Sequence, residues 1–163
     1  MQGFSLTPKK IHIVRIDPGE DVLNSVSAYV REAGIRQAVV MGGYGTLAAY
    51  SLHWVTHNRI PTENRFDKGE GGIEILAMNG LIVEGDPHIH VALATETGAF
   101  GGHVEPGCRA YVICEVFLSE VSGATLRRVR VDVDIPVMGN GTVNRLVDGQ
   151  AAAHKKAKSH AVK

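Results

Sequence analysis

Only one stretch of this sequence carries helical periodicity, and that limits the fold more than any other feature. After Asp17-Pro18-Gly19-Glu20, the apolar residues Val22, Leu23, Val26, Tyr29, Val30 and Ala33 recur at three- and four-residue spacing. Asp17 is placed to cap free N–H groups, Pro18 suits the first helical position and Glu20 completes a capping-box spacing. Gly34 is a natural stop. Elsewhere the pattern is that of strands. A first strand runs over 11–16, and a buried run over 35–41 leads into a tight Gly42-Gly43-Tyr44-Gly45 bend, with a further strand over 47–55. Residues 56–71 are polar and turn-rich and read as a long loop. Strands follow over 73–78, 81–83, 88–94, 98–104 and 109–118. From Arg128 to Ile135 the alternation is strict, with Val129, Val131, Val133 and Ile135 on one face and charges on the other. One helix and about seven strands joined by mainly short turns predict an α+β fold: a single compact domain, mainly antiparallel sheet with one principal N-terminal helix.

With 163 residues, there is room for one domain with a real core. We assign residues 1–9 to a lead-in, 10–138 to the domain, and 139–163 to a C-terminal segment where the pattern fades into a partly disordered basic tail. At 44% hydrophobic and 21% charged, the composition is that of a globular protein. No apolar run reaches the roughly 20 residues of a membrane span, and no basic-then-apolar leader opens the chain, so a cytoplasmic location without membrane contact is expected. Cys108 and Cys114 lie in an apolar region and read as reduced thiols that pack as small hydrophobes. The formal net charge of zero conceals an asymmetry. The last ten residues hold four lysines and no acid; without them, 13 basic residues face 17 acidic ones, a net of −4. A nucleic-acid-binding body should carry a basic footprint. Within the tail, Lys155, Lys156 and Lys158 are the candidate nucleic-acid contacts.

The most specific chemical proposal comes from three histidines within 16 residues: His88 and His90 in Pro87-His88-Ile89-His90, and His103 in Gly101-Gly102-His103. A His-x-His pair on a strand places both rings on one face. If Thr95-Glu96-Thr97-Gly98 turns the chain, Ala94 faces Ala99 and His90 faces His103, with Cβ atoms about 4.5–5.5 Å apart. A two-residue loop at Thr97-Gly98 would set His103 opposite Ala92, still on the histidine face. A three-residue loop would send it to the other face. Three converging imidazoles can hold a divalent metal, zinc by donor type, and leave a coordination position open. Such an ion can polarise a carbonyl or activate water, which suits hydrolysis, lyase chemistry or ligand sensing. Glu105, on the His103 face, is a candidate fourth ligand, ligand-orienting partner or general base. Pro87 and the Gly101-Gly102 pair suit a cleft that a ligand or another chain approaches. His53 and His57, flanking Trp54, read as surface or interface groups, His12 as exposed on its strand, and His154 and His160 as tail residues.

Several blocks together resemble the PPC (plants and prokaryotes conserved) domain, also found in plant AT-hook nuclear-localised proteins. They are Arg15-Ile16-Asp17-Pro18-Gly19-Glu20-Asp21, Gly34-Ile35, Gly72-Ile73-Glu74-Ile75-Leu76-Ala77-Met78-Asn79-Gly80, Pro87-His88-Ile89-His90-Val91, and Gly101-Gly102-His103-Val104 through Gly107-Cys108. Ile73 stands where the family commonly has an aromatic residue. The resemblance implies a homotrimer of α+β domains whose prokaryotic members carry a metal site, which maps here onto His88, His90 and His103. It also implies a regulatory, DNA-binding type of function. In the plant proteins, however, DNA contact belongs to a separate Gly-Arg-Pro AT-hook that this chain lacks. The leading expectation is a trimeric regulatory module with a three-histidine metal site and a DNA or protein partner. The alternative is a metal-dependent enzyme or small-molecule-binding protein using the open position.

Overall fold

In the computed structural model, residues 1–149 are described, and the lysine tail with Lys155, Lys156 and Lys158 lies outside them. The elements are β1 (Leu6–Arg15), α1 (Val22–Glu32), β2 (Gln37–Val55), β3 (Asn64–Val83), β4 (Asp86–Thr95), β5 (Gly98–Val104), β6 (Arg109–Gly123), β7 (Leu126–Ile135) and β8 (Gly139–Asp148). The first six strands form one antiparallel sheet in the order β1-β6-β2-β3-β4-β5. The end of β2 also pairs with β5, so β2, β3, β4 and β5 close on one another. β7 and β8 form a separate two-stranded ribbon.

Helix α1 buries Val22, Val26 and Val30 completely and packs against β4 and β6. Each such side chain contributes roughly 1.5–3 kcal/mol of apolar burial. The helix starts later than the capping pattern predicts. Asp21 is the N-cap, accepting from the Asn24 N–H at 2.9 Å. Residues 17–20 instead form a turn in which the Asp17 N–H donates to Glu20 Oε2. Asp21 wins because its second oxygen also accepts from the Gly107 N–H, tying the helix start to the loop before β6.

Several strand expectations need correction. β1 begins at Leu6, and its core face is His12, Val14 and then Ile16, while Ile11 and Ile13 are 64% and 63% exposed. His12 is therefore buried, with Nδ1 hydrogen-bonded to Tyr29 Oη at 2.9 Å, because α1 covers that face. The glycine-rich segment after Val40 is not a bend. β2 runs through it with register shifts, and a side chain at Gly45 would strike the Ile113 carbonyl oxygen at 1.9 Å. The predicted 56–71 loop shrinks to the 56–63 connection, since residues 64–71 continue β3 along β2. The pattern after Gly139 does not fade into a tail at once: β8 pairs with β7 over ten residues.

Both cysteines are buried and unbridged. Burial raises both thiol pKa values, that of Cys114 to about 11, so each behaves as a packed thiol, not a nucleophile. No helix among the described residues is long and apolar enough to cross a membrane.

Candidate metal centre

Period-2 alternation on β4 sends Ile89, Val91 and Leu93 into the core and leaves His88 and His90 on the outer face. The β4–β5 hairpin turns through Glu96-Thr97, with Thr95 opposite Gly98, Ala94 opposite Ala99 and His90 opposite His103. This is the register of the four-residue turn expected from sequence, closed by one additional pair. His88, His90 and His103 consequently converge, with ring centroids 4.4 Å (His88–His103) and 5.2 Å (His90–His103, His88–His90) apart. The Nε2 atoms of His88 and His90 lie 3.2 Å apart. Two nitrogens bound to one tetrahedral zinc at about 2.0–2.1 Å are separated by about 3.3 Å, so this pair is spaced for a shared ion.

The electrostatics suit metal binding. Burial, followed by the charges of His88, His53 and His90, pushes the His103 pKa from 6.5 down to about 4. His88 is lowered by burial, then by the Arg128 and His90 charges. His103 therefore offers a free lone pair at neutral pH, which is what a cation requires. The residues present thus fit a divalent ion in donor type and spacing.

Sequence reasoning missed His53. On β2 it sits opposite His103 on one side and Phe66 of β3 on the other. Asn79 of β3 lies opposite His90. The outer face thus carries a cross-strand row, Phe66–His53–His103–His90–Asn79. His53 and His103 have centroids 4.4 Å apart, and His53 Nδ1 meets Glu105 Oε1 at 2.7 Å. His53, His103 and Glu105 form a second potential ligand group sharing His103 with the first. Glu105, placed on this face by the sequence, therefore acts on His53. His57 remains apart, 3.8 Å from Glu63.

The paired glycines serve the strands and not a cleft. A Cβ at Gly101 would lie 2.3 Å from the Val91 carbonyl oxygen, and one at Gly102 2.8 Å from that of His53. Their lack of side chains lets β5 sit close to β4 and β2 and brings His103 between His90 and His53.

Known proteins share this fold. A solved plant- and prokaryote-conserved (PPC) protein of Pyrococcus horikoshii superposes with a TM-score of 0.66 at 26% identity, covering 78% of this chain and 90% of that one. A metal-containing protein of Archaeoglobus fulgidus shares the fold at a TM-score of 0.69 and 24% identity, covering 79% of this chain and 91% of that one. The bifunctional protein GlmU of Synechococcus sp. (strain JA-3-3Ab) is 26% identical over 114 residues, which are 68% of this chain and 17% of that protein. The chain thus spans about a sixth of the length of the curated relatives it matches. The family model of the Plants and Prokaryotes Conserved (PCC) domain matches residues 4–122, and the chain belongs to this family.

Proposed function

We propose that this protein is a homotrimeric PCC module of regulatory type in which His88, His90 and His103 hold one divalent ion, zinc by donor chemistry, and present it to a small-molecule ligand. The carrying observation is the β4–β5 register, which sets His90 opposite His103 while His88 Nε2 lies 3.2 Å from His90 Nε2. When bound, the ion supplies a Lewis-acidic position; the chain supplies three imidazoles and the strands that fix them. The trimer is supported by the outer face of β1, β6 and β2, where Ile11, Ile13, Met41 and Tyr44 are exposed and Tyr44 packs on Phe117. Any contact with DNA falls, on this reading, to Lys155, Lys156 and Lys158, since residues 1–149 carry 13 basic against 17 acidic side chains.

Elemental analysis of untagged protein tests the centre. About one divalent ion per chain, lost when all three histidines become alanine, is the expected result. Metal-free wild type that is folded and still fails to take up added Zn(II) would sink it.

The His53–Glu105 pair favours a second reading as a metal-dependent enzyme, because a carboxylate-oriented imidazole beside His103 can move a proton. That reading requires a turnover that His53→Ala abolishes while metal content is unchanged.

A further inference from the structure

A second set of donors lies beside the three-histidine position. His103 of β5 stands between His90 of β4 and His53 of β2, and its ring centroid is 4.4 Å from those of both His88 and His53. On the His53 side the third member is Glu105, whose Oε1 meets His53 Nδ1 at 2.7 Å. One ligand atom from each of His53, His103 and Glu105 lies within 4.8 Å of the other two, the same spread within which His88, His90 and His103 fall.

The backbone fixes these donors. Leu52 and His53 pair with Val104 and His103, and the Glu105 N–H donates to the Ser51 carbonyl at 3.0 Å, so β2 holds residues 103–105 one by one. Gly102 permits this approach, since a Cβ there would lie 2.8 Å from the His53 carbonyl oxygen. On the other side of His53, the Phe66 ring lies 5.3 Å away. All three donors are half-buried, whereas His88 and His90 are exposed. A carboxylate partly removed from water gains more from a cation than from a neutral imidazole.

Two imidazoles and one carboxylate hold Zn(II) or Fe(II) and leave coordination positions open. Two donors on one tetrahedral zinc are about 3.3 Å apart, so an ion between His53 Nδ1 and Glu105 Oε1 would open that pair by about half an ångström. It would take the place of the hydrogen between them, and the single proton of the neutral ring would then reside on His53 Nε2. His103 sets how the two positions relate. A neutral imidazole has one acceptor nitrogen, so His103 serves one ion at a time.

We propose that His53, His103 and Glu105 form a second position for a divalent cation, mutually exclusive with the three-histidine position because both use His103. The proposal extends the metal reading above by a carboxylate-bearing alternative, which needs His103 but neither His88 nor His90.

The test is Zn(II) uptake by the full-length chain, read as ions bound per chain after dialysis at one fixed free Zn(II) concentration. Wild type should bind one ion. His88→Ala/His90→Ala changes two exposed side chains, should keep its circular dichroism, and should still bind one. Adding Glu105→Gln to that pair should abolish binding, while Glu105→Gln alone should keep one ion at the three histidines. If the double variant is folded and binds none where wild type binds one, the second position is overturned and the three-histidine reading stands. Retention in the triple variant also overturns it, because the ion then sits on other groups. Two ions per wild-type chain overturn the exclusive use of His103. A wild type that takes up no ion overturns both positions.

Discussion

The imidazole of His103 has a histidine on each side, His90 on β4 and His53 on β2, and its burial, with the charges of the neighbouring histidines added, gives it a pH signature. Its pKa is about 4 in the folded protein, against an ordinary 6.5. Between these values the unfolded chain takes up a proton that the folded chain refuses. Stability of the metal-free protein should thus be level above about pH 6.5 and fall as pH drops toward 4. His88 is shifted in the same direction and adds to the fall. Melting temperatures of chelated protein at pH 7.5 and 5 should show the loss, and His103→Gln should reduce it; a wild type with equal values would contradict the assignment. Legibility in the sequence differed sharply among these histidines. His88 and His90 declared themselves by period 2, and His103 by a short turn whose register could be enumerated. His53 had no local signal, because it joins the site through pairing between residues 50 apart, which no spacing rule reaches.

At the scale of elements, the helix existed where periodicity placed it, but its boundary was decided by a contact distant in sequence. Asp21 both caps α1 and binds the Gly107 N–H, whereas Asp17 has no second partner of that kind beyond Arg15. Asp21→Ala should therefore cost about 1–2 kcal/mol, the usual range for a lost cap, while Asp17→Ala should cost only a fraction of that. Urea denaturation of the two variants checks the order. The strands were misread for a related reason. Glycine-rich and polar segments such as 42–45 and 64–71 look like turns, yet here they let strands bend and approach. Gly80 illustrates the point: a Cβ there would lie 2.1 Å from the carbonyl oxygen of His88. Gly80→Ala should destabilise the fold by about 1–3 kcal/mol and weaken metal uptake by displacing His88. Gly72→Ala, with nothing within 4 Å of the added atom, should do neither.

For the whole molecule, the same outward alternation that exposes the histidines on one part of the sheet exposes apolar side chains on another. Ile13 lies opposite Phe117, which lies opposite Gly42, so β1, β6 and β2 contribute to one row. Ile11 and Met41 flank it, and Tyr44 packs on Phe117. Contiguous apolar patches beyond a few hundred Å² are uncommon on monomers and mark association surfaces. The inner side of β1 carries His12 beside the buried Val14, and Tyr29 takes up the His12 Nδ1. The exposure of Ile11 and Ile13 has a physical rationale if the outer face is covered by other copies of the chain. Light scattering of wild type should then give about three times the 17.5 kDa chain mass. Ile13→Glu would place a carboxylate in each copy of the buried face, where desolvation and repulsion cost several kcal/mol, and the mass should fall to that of one chain. Because Ile13 is exposed in the isolated chain, circular dichroism of the variant should be unchanged. A wild type that runs as a single chain, or an Ile13→Glu variant that stays trimeric, would remove this face from the assembly.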